Sequence, residues 1–305
     1  MGPQPESQSV WRTLAWGELA PLRLRAREVA EGAIVGAHRS VRRGAGIELG
    51  GFREYVPGDD LRWLDRRSLL RHERLIVRQF ETETDRALCL LVDSSASMGF
   101  RGPNSPGSKL AFASLLAAAL ARIALAGGDP VSLSFIGAGD AGRSVPRSAG
   151  SEQFERIVAS LESVTAGGDA YADPDLLDRG LQRLARTTRR GAIVVVLSDL
   201  LDAPPGAAER IAAMASRGCV VSVVHVLDAA EADLPYRGTV RLRALEGSAE
   251  DETDADGARS EYVARLADLS RTWERALVRR AARFQRAQTS DSPIRVVRQI
   301  VQRLR

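Results

Sequence analysis

Lysine is almost missing from this chain. Lys109 is the only one among 305 residues, so the positive charge rests on arginine, and the net charge is +4 at pH 7. The pI near 9.5 is then weak grounds for an anionic partner, since a GC-rich genome produces the same arginine excess. Aromatic residues are scarce too, at 5%. A nucleic-acid binder concentrates its basic residues and interleaves them with aromatics, so no nucleic-acid partner is expected. The two cysteines, Cys89 and Cys219, sit in or beside apolar runs with no C-x-x-C pair. That excludes a disulfide framework and points to buried free thiols in a reducing compartment. His38, His72 and His225 are scattered, which argues against a histidine metal centre. His225, inside an apolar run, reads as a hydrogen-bonded core residue. The apolar stretch around Leu115–Leu125 is broken by Arg122 and is too short to span a bilayer. Met1–Trp16 carries Pro, Gln and Glu without an apolar signal core. The expectation is a cytoplasmic protein with no membrane insertion.

Several catalytic signatures are also absent. No G-x-x-x-x-G-K-[ST] occurs, so there is no P-loop. Ser97 has Ser95 where a serine-hydrolase elbow needs its first glycine. An aspartyl-phosphate phosphatase needs a second Asp two residues after the first, and that position is again Ser95.

What is present is an α/β pattern. From about Arg86 the chain alternates strand and helix, with strands expected at 87–92, 131–136, 192–197, 220–226 and 239–242. Helices are expected at 109–125, 152–164, 174–185 and 207–217. Runs such as Ile193–Leu197 are apolar without alternation, as in strands covered on both faces of a parallel sheet. Residues 1–84 form a separate N-terminal accessory region, with a helix expected within 11–31, a turn at Pro57–Asp60 and a strand at 75–80. The sheet domain spans 85–245. An acidic mobile loop follows at 246–260, then a tail of two helices at 261–305, with Pro293 opening the second.

The chemistry concentrates at Leu90–Met98. An apolar strand ends there in Asp93, with hydroxyls at Ser95 and Ser97. This spacing turns hard oxygen donors toward one point beyond the strand, which suits Mg2+, or Mn2+ and Ca2+, better than zinc. Asp199 closes the strand at 192–197, and adjacent parallel strands place it on the same rim as Asp93. The plainer reading of Asp93, Ser95 and Ser97 is a strand-ending turn held by side-chain to backbone hydrogen bonds. For Asp199 the plainer reading is a helix cap. The mixed charges of Arg53, Asp59, Asp60, Arg62, Asp65 and Arg66 read as an ion-paired scaffold.

Asp93-Ser94-Ser95-Ala96-Ser97 resembles the Asp-x-Ser-x-Ser motif of von Willebrand factor A domains, whose metal-ion-dependent adhesion site (MIDAS) adds a Thr and an Asp from later loops. Upstream, Gly36–Ser40, Gly44–Glu48, Arg53–Asp60 and Leu64-Asp65 resemble the signature of a bacterial family, domain of unknown function fifty-eight. That family is often encoded beside MoxR-type AAA+ ATPases. The resemblance departs at Leu49, where Phe is usual, at Arg66, where Trp is usual, and at the adhesion-site Thr. Gly167-Gly168 is followed by Asp169, and Thr165 precedes the pair. If Asp169 takes the Thr position, three carboxylates surround the cation.

The resemblance implies a von Willebrand A, Rossmann-like, mostly parallel sheet with helices on both faces. It also implies a non-catalytic metal-dependent protein-binding module. Asp93, Ser95, Ser97, Asp199 and Asp169 would hold Mg2+, and a partner's Asp or Glu would complete its shell. The implied partner is a MoxR-type AAA+ ATPase, with this chain as adaptor or co-chaperone. Two other classes stay open: a metal-dependent hydrolase, for which no general base stands out, and an arginine-rich nucleic-acid binder.

Overall fold

The computed structural model describes residues 22–34, 48–54, 76–81, 86–137, 144–168, 173, 176–201, 203–204, 206–243, 245 and 250–304. Two compact units divide the chain. One comprises 1–36 with 87–305, and the other comprises 37–86. In the smaller unit, β1 (Glu48–Glu54) and β2 (Ile76–Glu81) pair antiparallel with a register break between Leu49 and Gly51.

The larger unit begins with α1 (Leu22–Ile34) and resumes with β3 (Leu88–Asp93), α2 (Lys109–Ala126), β4 (Val131–Ile136) and β5 (Val145–Ser148). It continues with α3 (Ser151–Ser163), α4 (Leu176–Thr187), β6 (Ile193–Ser198), α5 (Ala207–Ser216), β7 (Val220–Leu227) and α6 (Ala229–Asp233). It ends with β8 (Thr239–Arg243), β9 (Glu250–Asp254), α7 (Ala255–Val278), β10 (Arg283–Gln288) and α8 (Pro293–Arg303). The main sheet has the order β10-β7-β6-β3-β4-β5. All its pairings are parallel except β4 with β5. The expected α/β class, a mostly parallel sheet with helices on both faces, is the class observed.

The strand pleat explains the layers. Leu88, Leu90 and Val92 of β3 point to one face and join a core with α1, α2, α3 and α8. Cys89 and Leu91 point to the other and join α4, α5 and α7. Each such side chain taken fully from water contributes about 1.5–3 kcal/mol, and both faces of β3 do so. This is why its sequence is apolar without alternation. Helix α2 is apolar nearly all round and lies in the first of these cores, with Phe112, Leu116 and Leu120 buried. It corrects the expectation of a stretch too short for a bilayer: at 18 residues it is the one described helix long and apolar enough to cross a membrane by length and composition, and 67% of it is buried inside the fold. Its N-cap is the expected one: the Ser108 side chain accepts from the Ala111 amide at 3.2 Å.

Several expectations need correction. The tail is not two helices, because β10 lies between α7 and α8 and extends the sheet in parallel beside β7. Pro293 does open α8. The segment 250–254, expected within an acidic loop, is β9, antiparallel to β8 in a hairpin separate from the main sheet. Helix α7 then starts at Ala255, capped by Asp254. Helix α1, expected in the accessory region, belongs with the sheet: the Arg298 guanidinium of α8 donates to the Gly32 carbonyl at 2.7 Å. Of the two thiols, Cys89 is buried as expected and Cys219 is only partly buried. In the mixed-charge scaffold, Arg53 falls in β1 with no side-chain description, and Asp59, Asp60, Arg62, Asp65 and Arg66 lie outside the described residues.

Candidate metal centre

The carboxyl end of β3 turns directly into a short 3-10 turn, Ala96–Gly99. Asp93 stays buried and uses its carboxylate to shape the turn. Its Oδ1 accepts the Ser95 amide at 2.9 Å, and its Oδ2 accepts the Ser198 hydroxyl at 2.5 Å. The Ser95 and Ser97 Oγ atoms lie 3.1 Å apart. Ser94 points away, and its hydroxyl donates to the Ile136 carbonyl of β4 at 2.9 Å. One loop thus alternates between anchoring side chains and side chains gathered at the rim.

Asp199 follows β6, next to Ser198, and is buried. Its Oδ2 accepts from the Lys109 ammonium at 2.7 Å, and its Oδ1 accepts the Leu201 amide at 3.3 Å. Between them Leu200 is buried with φ of 61°, a left-handed conformation that costs a non-glycine residue on the order of 1 kcal/mol or more. Lys109 also donates to Glu231 Oε1 at 2.6 Å, and the lysine side chain is wholly buried. Glu231 is held in turn by a capping box, in which its Oε2 accepts the Asp228 amide at 3.1 Å.

The electrostatics follow from burial. Burial raises the Asp93 pKa, Asp199 raises it further by repulsion, and the hydrogen bonds from Ser198 and Ser95 lower it in part, leaving it at about 6. Burial alone would lower the Lys109 pKa, but Asp199 and Glu231 outweigh burial and hold it above the ordinary value. Burial raises Glu231 against the opposing pull of Lys109. Burial lowers His225 to about 4. That histidine is the expected core residue, with Nδ1 3.1 Å from Ser270 Oγ.

The third loop expected at this rim is also there. The Gly167 amide donates to the Ser94 carbonyl at 2.9 Å, and a Cβ on Gly99 would come within 3.0 Å of Ala166 Cβ. Thr165 is exposed in this loop, and Asp169 lies outside the described residues.

Among the described residues no group of three or more His, Cys, Asp and Glu is placed to hold a metal ion. The donor set is instead one carboxylate, that of Asp93, already bonded by the Ser95 amide and the Ser198 hydroxyl, and two hydroxyls. Octahedral Mg2+ with bonds of 2.0–2.1 Å needs neighbouring oxygens roughly 3 Å apart, and the 3.1 Å between the Ser95 and Ser97 hydroxyls fits that spacing. Asp93, Ser95 and Ser97 therefore suit a hard cation. Asp199 suits it as a nearby charge or through water, because the Lys109 ammonium on its Oδ2 repels a second cation there. Sequence reasoning missed Lys109, Ser198 and Glu231. The one signal for them was that a chain so poor in lysine keeps a single one beside the strand-ending motif.

The chain is 31% identical over 264 residues to an uncharacterized protein of Mycobacterium tuberculosis, covering 83% of this chain and 80% of that one. An uncharacterized protein of Mycobacterium bovis matches to the same extent. Among solved structures, BatB from Bacteroides thetaiotaomicron aligns with a TM-score of 0.45 at 19% identity, over 72% of this chain and 98% of that chain. A von Willebrand factor type A protein from Catenulispora acidiphila aligns with a TM-score of 0.38 at 12% identity, over 72% of this chain and 42% of that chain. Residues 51–272 match the family described as "Protein of unknown function DUF58", and the chain belongs to that family.

Proposed function

We propose that this chain is a non-catalytic, cytoplasmic protein-binding module whose grip depends on a divalent cation, and that it serves as adaptor or co-chaperone to a MoxR-type AAA+ ATPase. The observation that carries the reading is the convergence of the Ser95 and Ser97 hydroxyls beside the buried Asp93 at the open end of β3. Asp93, Ser95 and Ser97 hold Mg2+, with Asp199 contributing charge from behind. Bound there, the cation offers an open position to a partner's Asp or Glu. Leu201, exposed beside Asp199, gives the same rim an apolar contact. The ATPase partner rests on the family resemblance alone.

The test is capture from the native cell extract, with wild type and Asp93→Ala compared in Mg2+ and in EDTA. Wild type in Mg2+ is expected to retain a MoxR-type ATPase, while Asp93→Ala and EDTA each lose it by at least about tenfold. Capture indifferent to both changes overturns the metal dependence, and a retained partner of another class overturns the adaptor assignment. Turnover of a hydrolysable substrate abolished by Asp93→Ala would move the chain to the metal-dependent hydrolases.

A further inference from the structure

A site built to hold a divalent cation gains nothing obvious from a buried ammonium beside it, yet the single lysine of the chain lies there. Lys109 Nζ is 2.7 Å from Asp199 Oδ2 and 2.6 Å from Glu231 Oε1, with no part of its side chain exposed. Its position is enforced from both sides. It is the first residue of α2, with its amide on the Phe100 carbonyl at 3.1 Å, and its glutamate partner is fixed by the capping box of α6. Asp93, Asp199 and Glu231 bring three negative charges to this end of the sheet, and Lys109 cancels one. Asp228, close by, adds a fourth carboxylate, which accepts from the amides of Gly102 and Ala230 and the hydroxyls of Ser105 and Thr289.

We propose that Lys109 is a resident cation that sets the affinity of this site for divalent ions. The inference rests on the metal-dependent reading above. The ammonium holds Asp199 in a fixed place and keeps its Oδ2 from direct ligation. It also trims the negative charge so that the bound ion is held loosely enough to remain attractive to a partner's carboxylate. Charges this near one another in a buried setting couple strongly, so removing the ammonium tightens the site for Mg2+ and Mn2+. Removing the Glu231 charge has the opposite effect, although Glu231 is bonded to the lysine and not to the Asp93 loop.

The experiment is calorimetric titration of the full chain with MgCl2 and with MnCl2, for wild type, Lys109→Met, Glu231→Gln and the double variant. Thermal midpoints are recorded with and without the ion. Lys109→Met is expected to bind Mg2+ at least about tenfold more tightly than wild type and to recover more thermal stability on adding it. Glu231→Gln is expected to bind several-fold more weakly, and the double variant near the wild-type value. A folded Lys109→Met with unchanged or weaker affinity, beside a wild type that binds, overturns the proposal and leaves the metal reading standing. If Lys109→Met does not fold, Glu231→Gln decides, and unchanged or tighter binding overturns the proposal. Binding by Lys109→Met alone supports the resident cation and overturns the metal dependence of the wild type. Absence of binding in every variant overturns both.

Discussion

Asp228→Ala is expected to lower the stability of the sheet domain by about 4 kcal/mol, and its melting point by about 10 °C. Asp228 is wholly buried and accepts four hydrogen bonds: from the Gly102 amide at 3.2 Å, the Ala230 amide at 2.9 Å, the Thr289 hydroxyl at 3.0 Å and the Ser105 hydroxyl. These donors come from the loop after β3, from α6 and from the end of β10, so one carboxylate ties three distant pieces of chain. Alanine removes the acceptor from all four donors, although the Thr289 and Ser105 hydroxyls, 3.4 Å apart, keep each other as partners. Each orphaned donor costs about 1–3 kcal/mol, less where water enters. The packing is close enough that a Cβ on Gly102 would fall 2.3 Å from Asp228 Oδ1. Urea unfolding of the variant measures the loss. A change below about 1 kcal/mol would show that water replaces the carboxylate at little cost.

Without metal, acidification is expected to reveal two opposed titrations. Asp93 has a pKa of about 6 in the fold against 3.8 as the reference. Between those values the folded state holds the proton and the unfolded state does not, so lowering the pH through this window adds stability. His225 has a pKa of about 4 in the fold against 6.5. There the unfolded state holds the proton, so lowering the pH removes stability. Each shift is worth on the order of 3 kcal/mol, and the windows overlap between pH 4 and 6. The metal-free wild type should therefore change little from these two groups over that range. Asp93→Asn should be more stable than wild type at pH 7 and should lose on the order of 3 kcal/mol by pH 4. Saturating Mg2+ should also steepen the acid loss, because it keeps Asp93 ionised. Denaturant midpoints at a series of pH values measure all three. Parallel curves for wild type and Asp93→Asn would mean that Asp93 is not a raised carboxyl.

The central strands were legible because of what covers them. Strands β3, β6 and β7 are buried on both faces, and their unbroken apolar runs say so. Strand β10 was hidden because Arg283-Phe284-Gln285-Arg286-Ala287-Gln288 is mostly polar, and only Phe284 and Ala287 reach the two cores. Among the described residues it is an edge strand that pairs only with β7. The break before it carries no glycine signal either, because Ala281 makes the left-handed turn, with φ of 58°. At the site, Asp93, Ser95 and Ser97 were readable because two-residue spacing is local. Lys109 was not, because its partners lie 90 and 122 residues away. Only the finished sheet brings the end of β6 and the turn into α6 to the start of α2.

Helix α1 carries a consequence for how the chain matures. Gly32 and Arg298 meet across 266 residues, and Ile294 packs so close that a Cβ on Gly32 would lie 2.9 Å from its Cδ1. During synthesis α1 emerges early and must wait for α8 before its apolar face is covered on that side. Contacts closed over such long separations form late and slowly. Residues 37–86, grouped as a unit of their own, are made during that wait. Until α8 is made, the face of α1 that it covers stays exposed, and exposed apolar surface in an unfinished chain favours aggregation.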